Sequence, residues 1–179
     1  MRKSDVPVSR ANRLINFGTV VLVTSSHGGR NNIVSLAWNS PISHKPMLVG
    51  VAIAKKHFSN ELISKSGEYV INIPDAGLVS AVTYCGSVSG RDEDKFGKSG
   101  LTAVPGKKVA VPLIDECFAH LECKVVDKVE IGDHTLFVGE VLAASAKEGF
   151  LNSDFIPDLS QVKTLSHLGG AEFATLNKI

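Results

Sequence analysis

Aromatic residues make up only 6% of this 179-residue chain and neither sign of charge dominates, and both shortages narrow what it can be. Lys and Arg number 19 against 18 Asp and Glu, a net charge of +1. No field therefore favours nucleic acid or an anionic membrane as a standing partner, and any anion site has to be local. The longer apolar runs, such as Val20-Val21-Leu22-Val23, are far too short to cross a bilayer, and residues 1–10 carry charge without an apolar signal core. A cytoplasmic protein that does not touch the membrane is the expectation. Three cysteines, Cys85, Cys117 and Cys123, cannot all pair within one chain, and a chain of this size needs no disulfide framework, so they are expected as reduced thiols.

Several chemistries are absent in pattern as well. No G-x-G-x-x-G occurs, which excludes a Rossmann nicotinamide domain and leaves a nicotinamide cofactor only transient binding. Gly97-Lys98-Ser99 resembles the end of a P-loop, but the glycine that motif needs is replaced by Asp92, and no strand precedes it. Gly86-Ser87-Val88-Ser89-Gly90 has valine where a nucleophile elbow needs serine. Cys117, His120 and Cys123 would share a face only on a helix, whereas the alternation around them is that of a strand, so no metal site is expected.

What is present reads as short strands. Residues 19–25 and 33–38 flank a polar break at 26–32 and form a hairpin, and 47–54 is an apolar run of strand length. Ser59 is placed to cap a short helix through Lys65 that stops near Gly67. Residues 69–73 read as a strand ending at Pro74, and 75–84 as a short helix. The Gly-, Ser- and charge-rich stretch 85–108 reads as a long loop kept for a lid or binding wall. Residues 118–131 and 135–143 are long strands joined by a tight turn at Gly132-Asp133, with His134 at its exit. The expectation is a mainly β, antiparallel barrel whose closure removes exposed edges. It forms a single domain over residues 1–179, with a core of about 10–147 and an ordered C-terminal extension, 148–179, over the barrel or a partner subunit.

Residues 35–46, followed by an apolar strand and Lys55-Lys56-His57-Phe58-Ser59, offer a flat aromatic, small hydrogen-bonding groups and a cationic corner. That set suits a flat, phosphorylated cofactor such as flavin mononucleotide (FMN). Lys55, Lys56, Ser59 and a helix start suit the phosphate, Trp38 can wall the ring, and Asn39 and Ser40 can bond its edge. Each residue also has a plainer reading. Trp38 reads equally as core, Asn32 as a turn residue, His134 as a surface histidine and Lys95 as one member of an exposed ion-pair cluster.

Taken in order, the segments 20–24, 32–46, 55–59, 67–73, Cys85-Gly86 with Asp94-Lys95-Phe96, and 132–140 resemble the flavin reductase-like, FMN-binding split-barrel family, in its flavoredoxin and ferric reductase branch. The resemblance runs from Asn16 to Leu176 and implies a split, Greek-key type β-barrel with a few short helices. It also implies noncovalent FMN bound by Asn32, Trp38, Asn39, Ser40, Pro41, Lys55, Lys56, His57, Ser59, Cys85, Gly86, Lys95, His134 and His167. His134 and Lys95 would serve catalysis, with NADH or NADPH as transient donor and a small molecule or a redox protein as acceptor. A homodimer with flavin at the subunit interface is implied too. His167 stands where relatives often carry an aromatic residue, and Ala52 where some carry a reactive cysteine, so a cysteine-dependent variant is not expected. The competing readings are a flavoredoxin-type carrier fed by a protein donor and a barrel that binds no flavin.

Overall fold

The computed structural model describes residues 4–178, so the outermost ends of the expected 1–179 domain, residues 1–3 and 179, lie outside the described residues. Seven strands make one antiparallel sheet: β1 (Val21–His27), β2 (Arg30–Leu36), β3 (Asn39–His44), β4 (Met47–Ala54), β5 (Glu68–Ile73), β8 (Ala119–Ile131) and β9 (His134–Ala146). Their order is β2-β1-β5-β8-β9-β4-β3. Two small two-stranded sheets accompany it, one from β6 (Ala103–Val104) and β7 (Leu113–Ile114), the other from β10 (Ser166–Gly169) and β11 (Glu172–Ala174).

The sheet curls because strands far apart in its order share one core. Val21, Val23, Val34, Leu36, Val49, Val51, Ile53, Tyr69, Ile71, Cys123 and Phe137 form a single buried cluster, drawing on both ends of the sheet. Closure by backbone pairing, expected from the sequence, does not occur. β2 and β3 are consecutive in the chain yet stand at opposite edges, and the barrel is split between them. Residues 37 and 38 span that split, with Ala52 N–H donating to Trp38 O at 2.9 Å. β1 and β2 bury apolar residues on their outer face as well, where Leu22 and Ile33, with Val20 just before β1, pack against Val82 and Cys85 of a helix layer.

Several local expectations are corrected. The first hairpin turns on Gly28 and Gly29 alone, at φ 60° and 76°, so β2 begins at Arg30 and Asn32 is a strand residue rather than a turn residue. β3 had no expected counterpart, since Pro41 breaks its pattern; proline is tolerated there because β3 is an edge strand. Helix α1 (Phe58–Ser66) is preceded by His57 at the cap position, and Ser59 lies inside the first turn. Its end is as expected, with Gly67 left-handed at φ 70° and its N–H bonded to Ile63 O at 2.9 Å. The stretch 85–108 is not one loop. α2 (Val79–Ser87) absorbs Cys85 and Gly86, and α3 (Lys95–Ser99) follows, capped by Asp94.

The hairpin β8–β9 joins through residues 132–133 as expected, and its far half is exposed at Val126, Val129 and Ile131. The C-terminal extension folds back on its own chain. Val20 N–H donates to Leu165 O at 2.7 Å, and Thr19 bridges Ser166.

Candidate functional site

The split edge of the barrel, α1, α2 and the C-terminal hairpin enclose three adjoining hollows. The first, about 350 Å³, is lined by Asn32, Lys56, His57, Phe58, Cys85, Gly86 and Lys95. It shares Gly86 and Ser87 with a second of about 280 Å³, roofed by His167, Ala171 and Phe173. It shares His57 with a third of about 250 Å³, which contains Trp38, His134 and His167.

The chemistry of the first hollow is built by long-range contacts. The hairpin register brings Asn32 opposite Ser25, and α1 sets Ser59 against both. Asn32 Nδ2 donates to Ser59 Oγ at 2.8 Å, and Ser25 Oγ donates to the same oxygen at 3.3 Å. Asn32 is buried to 2% exposure, yet its Oδ1 has no hydrogen-bond partner. A buried carbonyl left unpaired costs about 1–3 kcal/mol, which a ligand hydrogen bond would recover. Gly90 leaves this oxygen its space, since a Cβ there would collide with Asn32 Oδ1.

Lys95 is the buried cation of the site, 4% exposed, with no carboxylate beside it. Its Nζ donates to Cys85 O at 2.6 Å and Ile33 O at 2.8 Å. Cys85 lies in the last turn of α2, whose terminal carbonyls lack helical partners, so Lys95 satisfies the negative end of that helix. Burial pushes the Lys95 pKa down, partly opposed by the neighbouring Cys85. The reading of Lys95 as an exposed ion-pair member is therefore corrected. Its neighbour Asp94 caps α3, accepting from Gly97 N–H at 3.2 Å, and this turns Lys95 inward.

His57 joins two hollows and is half-buried. Its Nδ1 lacks a partner, and burial, reinforced by Lys56, Lys95 and His134, lowers its pKa below 6.5. Trp38 and His134 stack with ring centroids 4.7 Å apart. The indole is 42% exposed, which corrects the reading of Trp38 as core. His134 Nδ1 donates to Asp133 Oδ1 at 2.7 Å, holding the Asp133 carboxyl below its usual range. His167 accepts from Asn16 Nδ2 at 3.4 Å and donates to Gly170 O at 3.0 Å.

Other residues singled out in the sequence stand apart. Lys55 pairs with Glu130 at 3.1 Å and does not line the first hollow. Asn39 donates to Thr19 O at 2.8 Å, Ser40 bonds only Pro41 O, and Ser40 and Pro41 are exposed on the edge strand. The thiols do not supply a nucleophile, because burial pushes Cys117 and Cys123 up to about 12 and raises Cys85. Among the described residues no group of His, Cys, Asp and Glu could hold a metal ion, and no helix is long and apolar enough to cross a membrane.

Sequence reasoning missed Arg30 and Arg91, and gave Phe58, though inside the segment 55–59, no role of its own. The two guanidiniums lie 4.4 and 4.9 Å from the ring centroid of Phe58. Phe58 lines the first hollow, whereas Arg30 and Arg91 line a separate one of about 440 Å³ that shares Gly90 with it. Arg30 Nη2 also donates to Gly90 O at 2.9 Å, tying the loop before α3 to the start of β2. A signal was present, because Arg30 follows the Gly28-Gly29 turn and so sits two residues before Asn32 on the same face of β2.

Comparison with known proteins matches this architecture. An uncharacterized protein of Archaeoglobus fulgidus is 42% identical over 144 residues, 80% of each chain. A ferric-chelate reductase (NAD(P)H) of the same organism is 26% identical, covering 73% of this chain and 76% of its own. The flavoredoxin of Desulfovibrio vulgaris superimposes with a TM-score of 0.88 at 29% identity, over 100% of this chain and 95% of that one. The family model described as flavin reductase like domain matches residues 16–158, and the chain belongs to that family.

Proposed function

We propose that the chain is an FMN-binding oxidoreductase that takes electrons from NADH or NADPH and passes them to free flavin or a ferric complex. The observation that carries this reading is that Asn32, with its unpaired Oδ1, and Lys95, with its buried ammonium, line the same hollow. A planar, polar-edged and anionic ligand meets both demands. Asn32, Ser59 and the first-turn amides of α1 would hold the polar edge and phosphate, with Lys56 supplying charge in this hollow and Arg30 and Arg91 in the one that shares Gly90 with it. When bound, FMN supplies the hydride- and electron-accepting chemistry.

The chain's own residues bind and orient. Lys95 places a fixed positive charge beside the ring and favours its anionic reduced form. The Trp38–His134 stack walls the approach, and Asp133 fixes the His134 tautomer with Nδ1–H directed at the carboxylate. His57 presents an unpaired ring nitrogen between the two hollows. Two copies of the chain would pair through the exposed apolar hairpin of Val126, Val129 and Ile131, placing the flavin near the interface.

A second reading is an electron carrier fed by a protein donor, and the flavoredoxin likeness at 29% identity favours it. Aerobic assays of NADH and NADPH oxidation with the flavin-loaded protein decide between them. Steady oxidation with added free flavin or ferric chelate is expected, whereas silence toward both nucleotides would leave the carrier reading. A preparation that takes up no FMN would reject both.

A further inference from the structure

The third hollow carries a residue that neither the sequence motifs nor the flavin pocket accounts for. Arg13, half-buried on the N-terminal segment, lines it with Asn16, Trp38, His57, His134 and His167, and no carboxylate lines it. The nearest acid in sequence to this lining, Asp133, is engaged by His134 at 2.7 Å. The ion pairs among the described residues do not include Arg13.

The guanidinium lies against the C-terminal hairpin. Gly169, at φ 134°, lies directly beneath it, and a Cβ on that residue would collide with Arg13 Nη1. A left-handed glycine in the C-terminal hairpin thus leaves room for a cation that no carboxylate among the described residues pairs with. A planar guanidinium with no carboxylate lining its hollow matches a phosphate oxygen pair better than the point charge of a lysine would.

We propose that Arg13 recognises the phosphate of the small-molecule redox partner, holding that partner over the Trp38–His134 stack beside the flavin pocket. The inference rests on the function proposed above for the adjoining hollow. Two partners carry the required group, the diphosphate of a nicotinamide dinucleotide and the phosphate of free FMN acting as acceptor. Nicotinamide and riboflavin are the corresponding molecules without it.

Trp38 is the only tryptophan of the chain, so its fluorescence reports on this hollow directly. ADP-ribose titrated into the flavin-loaded protein is expected to change that fluorescence, and R13Q to weaken the apparent affinity about tenfold, with R13K in between. In turnover, R13Q should raise the KM for NADH if the donor's diphosphate is the group bound. It should raise the KM for FMN but not riboflavin if the acceptor's phosphate is. In either case kcat and bound flavin content should stay within about twofold of wild type. Equal ADP-ribose affinity in wild type and R13Q together with equal shifts for FMN and riboflavin would overturn the proposal. The fluorescence arm needs no turnover, so it tests Arg13 even if NADH and NADPH are not oxidised, while loss of flavin uptake would instead count against the reading of the first hollow.

Discussion

Of two polar cavities on this barrel, the larger is the less demanding. The cavity lined by Asp75, Glu116, His120, Ser145 and Lys147 measures about 600 Å³, against about 350 Å³ for the hollow of Asn32, His57 and Lys95. In the larger, Asp75, Glu116 and His120 already have partners. Asp75 accepts from Gly77 and Lys163 amides at 2.9 and 2.7 Å, Glu116 from the Thr102 amide at 2.9 Å, and His120 Nε2 donates to Ile114 O at 2.8 Å. In the smaller, Asn32 Oδ1 and His57 Nδ1 have none. Unmet hydrogen-bonding capacity, rather than volume, marks the place where a ligand lowers the free energy most.

The substitution that cuts deepest into this contrast is Asn32→Leu. It removes the unpaired acceptor and should weaken FMN binding about 10- to 100-fold, measured by fluorescence quenching of added FMN. Glu116→Gln in the larger cavity should leave that affinity within about twofold. Equal losses in the two variants would erase the distinction.

Lys95→Met comes next. Flavin reduction by NAD(P)H, followed by stopped flow, should slow at least about tenfold while FMN content falls much less. Unchanged turnover would remove Lys95 from the chemistry and leave it as the cap of α2.

His57 sharpens the comparison through pH. Its folded pKa lies below 6.5 because burial disfavours the charged ring. As pH falls through 6.5 the unfolded chain gains a proton that the folded chain refuses, so stability is lost from there down to the lowered folded value. His57→Gln should flatten that part of a denaturant-midpoint profile, and an unchanged slope would assign the loss to other groups. The smallest effect belongs to Lys55→Ala, whose partner Glu130 is exposed; FMN affinity should move less than about twofold.

These residues also show what a sequence discloses. Strands with a local signal were legible, as the continuous apolar run Met47–Ala54 and the hairpin at residues 132–133 show. β3 was not, because its edge position makes proline harmless, and edge status is a property of the whole sheet. Lys55 and Lys95 illustrate the same limit at the site. Both are lysines in charged surroundings, yet Lys55 faces Glu130 across a neighbouring hairpin, while Asp94 turns Lys95 under the end of α2. Ser59 was expected to cap its helix. It instead meets Asn32, some 27 residues earlier in the chain, a pairing that only the hairpin register produces.

A titration of FMN into the purified apo-protein, following flavin fluorescence and the Trp38 signal together, tests the central claim most directly. Saturable quenching of both in the wild type, with quenching by Asn32→Leu displaced to much higher FMN, is the expected result. Quenching with the same midpoint in both proteins, or none in either, would contradict the assignment of the Asn32 corner as the flavin site.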